Sequence, residues 1–258
     1  MNTLFFYFQQ LLLKLKSYLP DKDNLDWLDG FAFIISSWLI IFPYPSYTGL
    51  FCILAFIPVL GITLTVLKGN AHFDHYIKKA FNKDGVEQNI VSAYILTSTL
   101  TIALSAYLNF ECENYYSLLT HGAIAFTIFA IIFIFTHRNI RGSLKHQAGV
   151  YVLLGFCILF YSYGITYGVN CLFDSSKPER FETKIIGKYI SHHRKSPDTY
   201  YVTITPWGHH HDSENIKVSS DLYDRLNEGD LVDIDLQQGL FDIPWYHIED
   251  SNNISNEW

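Results

Sequence analysis

Three consecutive histidines followed by an aspartate, His209-His210-His211-Asp212, are the densest run of metal-ligating side chains in the chain, and His192-His193 precede them. Imidazole and carboxylate together suit borderline divalent ions such as Zn, Cu or Ni. Adjacent histidines in a turn point in different directions, so the run reads first as a solvated hairpin tip and second as a metal site. The sequence predicts no resident cofactor, keeps Zn or Cu as the ions that His209, His210, His211 and Asp212 would take, and leaves a pH response open. His72-Phe73-Asp74-His75 places a further pair one helical turn apart, read as part of an amphipathic connecting helix with Phe73, Ile77 and Phe81 inward. His121, near the start of an apolar segment, reads as a helix-capping group. The chain contains no GxSxG, HExxH, P-loop, strand-borne GxGxxG or CxxC, the short motifs that hydrolases, metalloproteases and nucleotide enzymes use. A non-enzymatic role is expected.

These residues need a scaffold, and the scaffold is unusual in composition. Of 258 residues, 49% are hydrophobic and 17% aromatic, while only 17% are charged, against about 25% in soluble domains. Gly149–Val169 runs 21 residues without a charge, enough for a helix to cross a bilayer, which takes about 20. Gly30–Leu67 is uncharged for 38 residues and is broken by Pro43 and Pro45, which restrict their neighbours and remove backbone donors. The reading is an interfacial amphipathic helix and linker over 1–27, then a transmembrane domain over 28–170. Its five spans lie at about 28–42, 47–67, 90–108, 118–135 and 149–169, the short first arm having a re-entrant segment as its alternative.

All ten Lys and Arg of residues 1–174 fall in the N-terminal segment, the second loop and the fourth loop. With five spans this puts the N-terminus in the cytoplasm and the tail outside, as in a multi-pass protein of the bacterial inner (plasma) membrane. Cys112 and Cys171 then fall on the extracytoplasmic side, where they could pair as a disulfide or remain two separate thiols. Gly164 and Gly168 form a GxxxG that allows close helix packing, either with another span of the chain or in a homodimer.

From Glu179 onward the apolar period becomes two, the strand signature. Strands are expected at Phe181–Ile190, Tyr200–Thr205, Glu214–Val218, Leu231–Leu236 and Gly239–Ile248, with a helical turn over Asp221–Leu226. The fifth is expected at a sheet edge because of Pro244. This β-β-β-α-β-β order over 175–250 is that of an OB-like barrel, with an SH3-like barrel or small sandwich as alternatives, and 251–258 reads as a disordered tail. Residues 175–258 carry 8 basic and 15 acidic side chains, a balance that repels phosphate backbones and excludes nucleic acid as partner.

The tail residues Tyr200-Tyr201, Trp207-Gly208, Tyr223 with Gly229-Asp230, and Pro244-Trp245-Tyr246 resemble the C-terminal part of uncharacterised bacterial multi-spanning membrane proteins with a small β-barrel domain. In element order and the Gly-Asp turn the tail is also similar in outline to the membrane-anchored OB domains of NfeD-type proteins. That likeness implies scaffolding of a partner membrane protein. The expected function is therefore an integral membrane protein whose acidic extracytoplasmic barrel binds an envelope protein through exposed Trp207, Trp245 and Tyr246. The alternative is a metal- or pH-responsive protein using the histidine clusters.

Overall fold

A computed structural model of the chain describes residues 26–67, 77–81, 87–136, 144–192 and 198–250. The N-terminal amphipathic helix, the His72/His75 pair, Arg138 and Arg141 of the fourth loop, His193 and the tail from 251 lie outside the described residues. The chain divides into two compact units, one formed by Met1–Asn109 and Tyr116–Leu172, the other by Phe110–Tyr115 and Phe173–Trp258.

The first unit holds five helices: α1 (Asp26–Ile41), α2 (Tyr47–Leu67), α3 (Ala93–Asn109), α4 (Tyr115–Thr136) and α5 (Leu144–Leu172), with a hairpin of β1 (Ile77–Phe81) and β2 (Glu87–Val91) between α2 and α3. Three of them are long and apolar enough to cross a membrane, over Tyr47–Leu67, Tyr115–Phe135 and Tyr151–Leu172. This corrects the count of five spans. α1 has only 16 residues and α3 only 17, about 24–26 Å of helix against a hydrocarbon core of about 30 Å. α1 stops at Ile41, before Pro43. α3 starts late because Ile90 and Val91, read as the start of the third span, pair with Lys78 and Ile77 in the hairpin. The hairpin also overturns the helix expected around Ile77 and Phe81.

Packing explains the polar residues of these helices. Asp29 of α1 accepts a hydrogen bond from the Tyr94 backbone N–H at 2.7 Å, satisfying an orphan donor in the first turn of α3. Hydroxyls of Thr65, Thr99 and Ser162 donate to carbonyls one turn back, so they are satisfied without water. His121 likewise bonds through Nδ1 to the Ser117 carbonyl, 2.8 Å away. Outward faces are apolar instead, as at Phe56, Ile128, Ile134 and Phe156, which suits lipid as the surrounding solvent. The GxxxG serves this internal packing: a Cβ on Gly164 would stand 2.7 Å from the Ala103 backbone nitrogen of α3, and one on Gly168 2.2 Å from the Phe51 ring of α2.

The second unit is one curled, fully antiparallel six-stranded sheet forming a half-barrel, in the order β3-β8-β7-β4-β5-β6. Its strands are β3 (Glu111–Cys112), β4 (Glu179–Ser191), β5 (Thr199–Ile204), β6 (Glu214–Val218), β7 (Leu231–Gln237) and β8 (Trp245–Asp250), with a short helix, α6 (Ser220–Arg225), between β6 and β7. β4 pairs with β7 through Lys184, shifts register between Ile185 and Gly187, and then pairs with β5. Such a bulge bends the strand and curls the sheet. The concave core collects Ile185, Val202, Ile204, Ile216, Val232, Ile234 and Leu226. Asp235, also buried, is held by two 2.7 Å bonds from the Arg180 guanidinium, the fork geometry that satisfies a carboxylate out of water. Ser219 caps α6 by accepting from the Leu222 N–H.

Two expectations about this sheet are corrected. β8 is not an edge strand, because β3, from the chain between α3 and α4, pairs with it at Glu111↔Tyr246 and Cys112↔Trp245. Pro244 lies one residue before β8 and contributes only its carbonyl, which accepts a hydrogen bond from the Glu113 N–H at 3.0 Å. Nor does the barrel close by backbone pairing: β3 and β6 are the two ends of the sheet, and no ladder joins them among the described residues. Cys112 and Cys171 are both buried and form no disulfide. Asp174 anchors the entry to the unit by accepting from the Ser176 and Gly239 backbone N–H groups and the Trp245 indole at 2.8, 2.8 and 3.0 Å. Burial pushes the Asp174 carboxyl up, but its donors outweigh this and hold it below the ordinary aspartate value. Its stabilisation is present above the unfolded aspartate pKa and is lost as pH falls through the lower folded value.

The glycine geometry makes a direct prediction. Gly164→Ala forces a methyl against α3 backbone and should lower the stability of the detergent-solubilised protein by about 1–3 kcal/mol. Gly155→Ala, which meets nothing within 4 Å, should be neutral or mildly stabilising in the same thermal melt. Equal melting of both variants and the parent would show that the α3–α5 contact is not what requires glycine.

Candidate metal centre

The site is built at the two ends of the open sheet. After β5 the chain turns sharply at Trp207-Gly208-His209-His210, closed by a 2.8 Å bond from the His210 N–H to the Trp207 carbonyl. Gly208 makes the turn possible with a φ of 51°, a conformation that side-chain-bearing residues avoid. The turn sends His209 and His210 to one side, immediately before β6. From the opposite end of the sheet, Glu113 follows β3, positioned by the β3–β8 ladder and its bond to Pro244. Donor atoms of Glu113, His209 and His210 come within 4.8 Å of one another.

The hydrogen bonding around His210 gives this cluster its chemical character. Trp207 Nε1–H donates to Glu214 Oε2 at 3.3 Å, and Glu214 Oε1 lies 2.6 Å from His210 Nδ1. An ionised carboxylate only accepts, so Nδ1 carries the proton, and in the neutral tautomer Nε2 presents its lone pair. That Nε2 is buried and makes no hydrogen bond. It faces Glu113 Oε1 at 3.4 Å, and His209 Nε2 contacts the same carboxylate oxygen. A lone pair and a carboxylate oxygen repel until a proton or cation joins them. Two donors each about 2.1 Å from a tetrahedral metal stand about 3.4 Å apart, which matches the Glu113–His210 separation. A carboxylate holding the far nitrogen of a ligating histidine is the arrangement that fixes ring orientation and raises its basicity in metal sites. Trp207 completes the support by stacking on His210, with centroids 4.4 Å apart and planes 15° from parallel.

The surrounding field favours a cation. Burial raises the Tyr246 hydroxyl above its ordinary value, and Glu111, Glu214, Tyr115 and Glu113 raise it further. Glu111 is itself pushed up by burial, with Lys217 acting in the opposite direction. Glu113, with its side chain 11% exposed, and His210 at 21% form the floor, while His209 at 66% faces outward. One carboxylate and two imidazoles are three protein ligands, leaving a fourth position open to solvent in the manner of an exchangeable site.

The sequence named part of this set. His209 and His210 converge, whereas His211 and Asp212 are absent from the ligand group and Asp212 is exposed. His192 is occupied elsewhere, with Nδ1 3.0 Å from Asp198. Glu113 and Glu214 were missed. Glu214 sits four residues after His210, a spacing that could have been examined, but nothing in sequence joins Glu113 to the histidine turn. Trp207 and Trp245 are buried, 3% and 8% exposed, and Tyr246 is partly buried, so they do not form an exposed docking face. Trp207 packs against Phe181 and Tyr246, and Trp245 packs edge-on against Phe110: the curl of the sheet turns these large apolar rings inward. No protein-family model, curated protein or solved structure matches the chain.

The geometry ranks the residues for a zinc titration of the purified full chain against a competing chelator. Glu113→Gln and His210→Ala should abolish tight binding, and Glu214→Gln, which touches only the far nitrogen, should weaken it about 10–100-fold. His211→Ala should leave it unchanged. A His211→Ala loss as large as that of His210→Ala would mean that zinc binds the histidine run and not this site.

Proposed function

We propose that this chain is a metal-responsive multi-pass membrane protein whose extracytoplasmic tail, an OB-like half-barrel, binds a zinc-class divalent ion through Glu113, His209 and His210. The observation carrying this reading is the His210 ring, oriented by Glu214 at 2.6 Å and presenting an unbonded, buried Nε2 to Glu113. Nitrogen and oxygen donors without a thiolate favour Zn, Cu or Ni over soft-metal chemistry. Because the ligands exist as a set only in the folded tail, binding adds its free energy to folding. With zinc in excess the purified full chain should melt at a higher temperature than with chelator, and Glu113→Gln should cancel the difference. Indifference of the parent to zinc would overturn the reading.

The membrane arrangement we propose crosses a bacterial inner membrane with the three long helices, the N-terminus in the cytoplasm and the tail outside. Its support is the charge pattern: with three spans, six of the ten basic residues of 1–174 fall on the N-terminal side and the acidic tail on the other. This orientation leaves the acidic tail, with its proposed metal centre, facing an oxidising compartment where free divalent ions are accessible. A cysteine introduced at exposed Glu228 should react with a membrane-impermeant maleimide added to intact cells. Reaction only after the cytoplasmic face is opened would reverse the orientation.

A further inference from the structure

The metal ligands come from opposite ends of one sheet. Glu113 follows β3, the first strand in sheet order, and His209 and His210 precede β6, the last. No backbone ladder joins β3 to β6 among the described residues, so the ligand cluster lies across the seam that hydrogen bonding leaves open. β3 meets β8 over two residues, beside a bond from Glu113 to the Pro244 carbonyl and the Phe110 ring against Trp245 at 5.5 Å. Ladders this short are marginal alone.

Resting on the metal reading above, we infer that the ion acts as a latch: its binding closes the seam of the half-barrel by locking β3 onto β8, and its loss releases the segment 110–115. The geometry sets the direction. Docking β3 brings Glu113 to His209 and His210, and only then do three ligands face one ion, so the docked arrangement is the one the ion selects. The segment is continuous in the chain with α3 on one side and α4 on the other, which makes it the piece of the tail unit through which metal state reaches the helical part of the chain.

Linkage gives the size of the effect. If only the docked arrangement holds the ion, zinc at 100 times its dissociation constant reduces the undocked fraction about 100-fold. Hydrogen exchange read by mass spectrometry on the full chain in detergent, with zinc or with chelator, follows the amides of 110–115 directly. Zinc should slow their exchange by about 10–100-fold and leave the β4–β5 ladder unchanged. The slowing should vanish in both Glu113→Gln and His210→Ala, the second of which leaves the segment itself intact. Zinc that binds tightly without slowing exchange in 110–115 would overturn the latch while sparing the metal centre. Failure to bind zinc at all would overturn both. Equal slowing of 110–115 and of β4–β5 would show general stabilisation and would also overturn the latch.

Discussion

The hydrogen bond between Glu214 and His210 is the contact on which the candidate metal centre depends. It fixes the proton on Nδ1, and through that choice it aims the opposite nitrogen at Glu113. Every other feature of the centre serves it: the Trp207 indole holds the second oxygen of Glu214, the stacked Trp207 ring holds the imidazole plane, and the tight turn at Gly208 sets the histidine at the correct height. A neutral residue at position 214 would leave His210 free to take either tautomer. The cluster would then be a solvated pair of imidazoles.

That contact exists because the sheet is curled but not closed. The bulge at Ile185 to Gly187 bends β4, so the two halves of the sheet wrap toward each other around the core of Val202, Ile204, Val232 and Ile234. The wrapping brings β3 and β6 near enough for side chains to meet across the gap, while no ladder fills it. The large rings of Trp207, Trp245 and Tyr246 occupy the inside of the curl. A barrel fully closed by backbone pairing would have no need of Glu113, and a flat sheet would never bring it to the histidines.

The helical unit solves a different problem with the same economy of polar groups. The hydroxyls of Thr65, Thr99 and Ser162 and the His121 ring bond back to their own helices, Asp29 caps a neighbouring helix, and glycine appears where α5 must approach α2 and α3 closely. Apolar side chains face outward, the inverse of a soluble protein, because the surrounding solvent there is hydrocarbon. Charge is sparse in the helices, where Asp29 serves a neighbouring helix, and is concentrated in the connections and the tail.

By itself the sequence determined the division into an apolar helical part and an acidic β tail, the strand order of that tail, and the histidine turn before β6. These follow from local periodicity and from residue types that act over a few positions. It misjudged what depends on length and context: Ile90 and Val91 have strand partners that shorten α3, and the indoles of Trp207 and Trp245 are drawn into a core whose curvature no local pattern reveals. Only the tertiary structure brought Glu113 to His209 and His210, because that meeting requires β3 to leave the helical connection and add to the edge of β8. A two-residue strand has too little periodicity to announce itself, and a carboxylate becomes a ligand only when the fold sets it opposite an oriented imidazole.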